Sequence, residues 1–173
     1  NPGKLYTRPY WPWSEFTTQH YHTNFKLSKS GEQLGLFIAD SDDDLVIIDK
    51  DVIWKYLDDG TNQESNWIQD DFNDDSWSFG HVELGYGDGD ETTIVEYGSD
   101  EDNKYITTYF RKTFDVNNIE EIQSLTLSLL RDDGAIVYLN GDEVLRDNMP
   151  VGIISYDTYA TSSITSDEED EFF

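Results

Sequence analysis

The sequence predicts an all-β fold, an antiparallel β-sandwich or jelly roll, and three observations lead there. Apolar material is concentrated in Tyr (11), Phe (9) and Trp (5), side chains that favour strands over helices. Period-two alternation recurs along the chain while helical periodicity is scarce. Asn140-Gly141 divides two strand-like runs, the strongest short hairpin signal, because both central residues of a type I′ turn take positive φ. Short strands at this spacing, with no helices between them, bury their apolar faces against a second sheet.

The elements follow in order. Tyr10-Trp11-Pro12-Trp13 and the aromatics through Phe25 come with Pro and little charge, whereas acids dominate from Asp40 onward. That contrast places a boundary near residue 50, between an N-terminal segment 1–50 and a main module 51–173. His20 and His22 share one face of a strand, a partial metal geometry, but with no third ligand nearby a surface strand is the better reading. Leu45-Val46-Ile47-Ile48, flanked by Asp, reads as a buried strand. Tyr105 to Phe114 is rich in β-branched and aromatic residues, with Phe110 and Phe114 on one face. Val116 to Gln123 is the longest helical candidate, a turn or two. Leu125, Leu127 and Leu129 alternate with Thr126 and Ser128 as a half-buried strand. Ala135 to Leu139 and Glu143 to Arg146 flank the Asn-Gly turn, and Ile153 to Ser155 and Tyr159 to Ile164 read as further short strands. There is no internal repeat, and the one low-complexity stretch is Asp167 to Glu171.

Charge excludes several function classes. Asp and Glu number 37 against 11 Lys and Arg, a formal net charge of -26. Nucleic acid and anionic membranes are poor partners, since binding a polyanion needs clustered cations. From Tyr56 to Asn103 acids recur every few positions with no Lys or Arg, a stretch that repels itself unless salt or divalent cations neutralise it. The absence of Cys removes disulfides, thiolate catalysis and Cys-based zinc sites. No run approaches the roughly 18 apolar residues of a membrane span, so membrane insertion is not expected. Asn1-Pro2-Gly3-Lys4 does not open a signal peptide, so an exported protein would have this sequence as its mature or excerpted form.

From Val52 onward the sequence resembles a module of large secreted bacterial proteins. The resemblance rests on Trp54-Lys-Tyr-Leu-Asp-Asp-Gly60, Phe72-Asn-Asp-Asp-Ser-Trp77, Leu84-Gly-Tyr-Gly-Asp-Gly89, Tyr109-Phe-Arg-Lys-Thr-Phe114 and Arg131-Asp-Asp-Gly-Ala-Ile-Val-Tyr-Leu-Asn-Gly141. In that order these motifs are similar to the galactose-binding-like jelly roll, as in the sugar-binding domain of family 2 glycosidases. His22 to Phe37 resembles the later strands of lamin-tail-like immunoglobulin domains, which implies an N-terminal arm or partial lamin-tail-like segment. Members of the jelly-roll family continue past the position matching Phe173 with closing strands. The resemblance therefore implies either an excerpt or completion by a strand from elsewhere, since an incomplete sandwich exposes an unpaired edge.

Site candidates are carboxylates and aromatics. Asp132-Asp133-Gly134 is similar to the Asp-Asp-Gly of PA14-type lectin domains, where adjacent carboxylates hold a calcium ion that contacts sugar hydroxyls. Calcium needs about six to eight oxygen ligands, so loop acids or carbonyls must join; the alternative is a turn whose Asp side chains bond backbone amides. Asp88, Asp90 and Glu91, after Tyr86 and Gly87, form a second candidate calcium loop or else a solvated acidic loop. Asn73 to Trp77 reads as a structural turn with Trp77 buried. Trp54 and Trp67 could stack on a pyranose ring, though core packing is the stronger reading. Tyr86 and Arg131 complete the candidate ligand-binding set. No spacing selects a general acid and base pair, and neither a nucleophile elbow nor a phosphate loop occurs.

The function expected is therefore a non-catalytic, secreted or cell-surface binding or adhesion module, calcium-stabilised, recognising carbohydrate or a neighbouring protein. Two alternatives stand beside it. One is a structural subunit of a surface filament or layer, a homo-oligomer assembled by strand exchange through the N-terminal arm. The other is an accessory domain of a secreted hydrolase.

Overall fold

A computed structural model describes residues 19–26, 34–40, 43–48, 52–86, 91–115, 126–129 and 131–164. The protein is mostly β, and the described residues contain no α-helix and no closed barrel. Its strands are β1 (Gln19–Lys26), β2 (Leu34–Asp40), β3 (Asp43–Ile48), β4 (Ile53–Leu57), β5 (Ser78–His81), β6 (Leu84–Gly85), β7 (Thr93–Ile94), β8 (Thr108–Phe114), β9 (Thr126–Leu129), β10 (Gly134–Leu139) and β11 (Asp142–Asp147). A 3-10 turn, Asn66–Ile68, lies between β4 and β5.

An antiparallel sheet runs in the order β11-β10-β1-β8-β4-β5 and a second, also antiparallel, in the order β3-β2-β9; β6 and β7 pair in parallel. Strands from both sides of residue 50 share the two larger sheets: β1 sits between β8 and β10, and β2 pairs with β9.

Alternation along the strands sorts side chains onto the two faces of the six-stranded sheet. Trp54, Phe110, Phe114, Ala135, Val137 and Leu145 form one cluster with Ile48 of β3, Leu129 of β9, Leu84 of β6 and Val95. Phe110 and Phe114 thus share a face, as the spacing predicts, and so do Leu127 and Leu129 of β9. Three sheets therefore contribute to one apolar core. On the opposite face Tyr109 and Tyr138 meet the segment between β4 and β5, which lays Trp67 and Trp77 over them. Trp67 meets both tyrosines edge to face, with ring centroids 5.0 and 5.7 Å apart.

Arg111 pins that covering segment. Its guanidinium, 3% exposed, donates to the Trp67 and Gln69 carbonyls and to Asp74 Oδ2, the last at 2.8 Å, and lies 5.0 Å from the centre of the Phe72 ring. Lys55 Nζ reaches the other Asp74 oxygen at 2.6 Å. Asp74 belongs to the turn expected from Asn73 to Trp77: Asn73 Oδ1 accepts from the Asp75 amide, the Trp77 amide donates to the Asp74 carbonyl, and Trp77 is buried. Burial works against the Asp74 carboxylate, but bonds from Lys55 and Arg111 outweigh it and hold its pKa below the ordinary value.

Two expectations about elements need correction. Residues 153–155 and 159–164 are loop, not strand. Among the described residues no strand pairs with them, and their backbone is held by turn and loop bonds: the Thr158 amide donates to the Ser155 carbonyl, and the Thr161 amide to the Asn148 carbonyl. β8 begins at Thr108 rather than Tyr105. The helical candidate at 116–123, Leu125 and the acidic run at 167–171 lie outside the described residues.

Candidate functional site

Strand register gathers the acidic loops. Leu57 pairs with Tyr109, Phe25 with both Thr108 and Ala135, and Ala135 with Asp147. The chain leaving β4, entering β8, entering β10 and leaving β11 therefore meets at one end of the six-stranded sheet. These connections carry Asp58 and Asp59, then Glu96 to Asp102, then Asp132 and Asp133, and last the loop from Asn148 to Ile164.

Tyr105 stands in the middle of this rim. Its amide donates to the Tyr97 carbonyl at 2.9 Å, and its ring packs against Gly60, where an added Cβ would lie 2.4 Å from the ring. Gly60 also has φ +73, so backbone and neighbour both require glycine there. A cleft of about 470 Å³ opens on one side of Tyr105, lined by Glu101 to Ile106, Asp133, Tyr159, Ala160, Ser162 and Ser163. A second, about 410 Å³, is lined by Asp58, Asp59, Glu96, Gly98, Ser99 and Tyr105 itself. Tyr159 is 62% exposed.

The loops are tied down rather than floating. Asp58 Oδ2 accepts from the Glu96 amide at 2.7 Å and Asp59 Oδ1 from the Thr61 amide at 2.9 Å. Asn148 Nδ2 bridges the Asp133 and Ser162 carbonyls at 2.8 and 2.6 Å. Thr107 Oγ1 donates to the Tyr156 carbonyl at 2.6 Å, drawing the last loop onto the strand that follows Tyr105. Lys104 lies over the Tyr86 and Tyr97 rings, 4.5 and 4.9 Å from their centres, a placement in which the rings' negative faces offset part of its charge.

The residues singled out from sequence fall in different places. Asp133 lines the larger cleft, and its Oδ1 accepts from the Ile164 amide at 3.1 Å. Asp132 is wholly buried and is hydrogen-bonded or paired. Glu91 is half-buried ahead of β7, and Asp88 and Asp90 lie outside the described residues. Among the described residues no three His, Asp or Glu side chains converge as a metal cage. Trp54 and Trp67 are core residues with no free ring face, and Tyr86 is buried beneath Lys104. Arg131 donates through Nε and Nη2 to Asp147 Oδ2, the former at 2.9 Å, bracing the entry to β10 against the end of β11. His20 and His22 lie on β1, where His22 is opposite Arg111 and Tyr138 in register.

Sequence reading missed Tyr105 and Tyr159, the two aromatics at the clefts, because both were absorbed into strands. The signal that could have found Tyr105 is its position after a run of acids, combined with a glycine following Asp58-Asp59. Comparison with protein families, curated proteins and solved structures finds no match for this chain.

Proposed function

We propose that the protein is a non-catalytic extracellular binding module, a jelly-roll sandwich that recognises neutral carbohydrate at the acid-lined rim around Tyr105. The observation that carries this reading is the pair of clefts sharing Tyr105, the larger with the exposed ring of Tyr159 in its wall. Both fall in the size range of small-molecule sites, about 300–1,000 Å³. Exposed aromatic faces suit the C–H face of a pyranose, and carboxylates and serine hydroxyls suit its hydroxyl groups. The sandwich reading is supported by the single apolar cluster to which all three sheets contribute, and the extracellular reading by the resemblance to modules of secreted bacterial proteins. With Asp58, Asp59, Glu96, Glu101, Asp102 and Asp133 around the clefts, anionic sugars are repelled.

A glycan array tests the proposal. Wild-type protein is expected to bind neutral glycans and to ignore sialylated and sulfated ones, while Tyr159→Ser loses binding at least tenfold with an unchanged melting temperature. If calcium completes the site, chelator abolishes the signal and millimolar calcium restores it. A blank array with and without calcium refutes carbohydrate recognition.

A further inference from the structure

We propose that β1 is an exchangeable strand, and that the slot between β8 and β10 takes β1 from a second copy of this chain. The topology sets up the exchange. Every other strand of the six-stranded sheet lies between Ile53 and Asp147 in sequence, whereas β1 comes from Gln19–Lys26. After Lys26 the chain leaves that sheet, contributes β2 and β3 to the other, and returns only at Ile53.

The slot is built to hold one strand. β1 registers along β8 from Gln19 opposite Phe114 to Phe25 opposite Thr108, and along β10 from Tyr21 opposite Leu139 to Lys26 opposite Gly134. Neighbouring strands stand about 4.8 Å apart, so β8 and β10 are separated by about 10 Å, too far to bond to each other. Left empty, the slot would leave backbone donors and acceptors on both walls without their strand partners. It would also uncover Phe110 on one wall and Ala135 and Val137 on the other, all three buried. β1 fills it, pairing with both walls at once.

Which copy supplies that segment is a matter of connection, not of contacts. The same hydrogen bonds form whether β1 is tethered to the slot or to a neighbour, so exchange adds little intrinsic cost and concentration sets the balance. The seven residues 27–33 between β1 and β2 have a fully extended length of about 25 Å. Reciprocal exchange gives a closed dimer, and head-to-tail exchange an open chain. A formal charge of -26 on each copy opposes both, so salt favours exchange.

The absence of Cys makes cross-linking unambiguous. His20 is opposite Thr113 in register, and Thr113 is exposed. Full-length His20→Cys and Thr113→Cys chains, distinguishable by a size tag, are unfolded together, refolded at high concentration in salt and treated with a short bifunctional thiol reagent. The doubly substituted chain, refolded dilute, should link within itself, which checks the register. The mixed single variants should give a covalent heterodimer whose yield rises several-fold with refolding concentration. Closure of the double variant with no heterodimer at the highest concentration overturns the exchange. Failure of the double variant to close overturns the placement of β1 on which the exchange rests.

Discussion

Asp74 concentrates the energetics of one face of the main sheet in a single side chain. It joins Lys55 on β4 to Arg111 on β8, and Arg111 in turn holds the Trp67 and Gln69 carbonyls. Removing the carboxylate leaves a buried guanidinium short of its charged partner. Asp74→Asn is therefore expected to destabilise the fold at pH 7 by about 1.5–3 kcal/mol, the range for hydrogen bonds to charged groups, as read by urea denaturation. The pH dependence follows from the lowered carboxyl pKa. The stabilisation is full above the unfolded-state value of about 3.9 and is lost as pH falls through the lower folded value. The gap between wild type and Asp74→Asn should thus close in acid, and a gap constant down to pH 2 would contradict the role assigned to Asp74. Part of this was legible in sequence: the spacing Asn73 to Trp77 marks a turn with a buried Trp. Arg111 as its anchor was not, because a cation inside a strand pattern, here beside Lys112, reads as an outward-facing residue until the covering segment is in place.

Among the elements, the β10–β11 hairpin was the most legible. Asn140 and Gly141 take φ 51 and 85, as a type I′ turn requires, and the flanking strands pair from Ala135 with Asp147 to Leu139 with Asp142. A side chain at Gly141 is strained by its backbone, so Gly141→Ala should cost about 1 kcal/mol, a fall in urea midpoint with the m-value unchanged; no change would mean the turn tolerates another backbone. The register slip between Val137 and Tyr138 had no signal, since a bulge is a property of two strands together. Residues 153–155 and 159–164 were misread for a related reason. Their Ile, Tyr and Thr content favours strands locally, yet propensity acts only where an edge is available, and Asn148 and Asp133 fasten this segment as loop. β1 shows the reverse: its strand character was visible in His20-x-His22, but its two partners lie roughly a hundred residues further along the chain and leave no local trace.

At the scale of the whole molecule, the charge acquires a direction. Composition alone reports acidity; the antiparallel register brings Asp58, Asp59, Glu96, Glu101, Asp102 and Asp133 to one end of the sheet around two clefts. Asp70, Asp71 and Asp75 lie instead on the segment covering a face of the sheet, so the acidic stretch read as one block divides into two roles. The clefts could not be read from the sequence because each draws its lining from segments dozens of residues apart, and Tyr105 belongs to both. Exposed Phe79 and Ile94 lie elsewhere, on β5 and β7, and provide a built-in comparison surface. The most direct test of the rim is amide chemical-shift mapping during titration with the strongest neutral glycan from the array. The account predicts shifts confined to residues 58–60, 96–106, 133 and 159–163, with Phe79 and Ile94 unmoved. Shifts centred on β5 and β7, or none in the rim at saturating glycan, would contradict it.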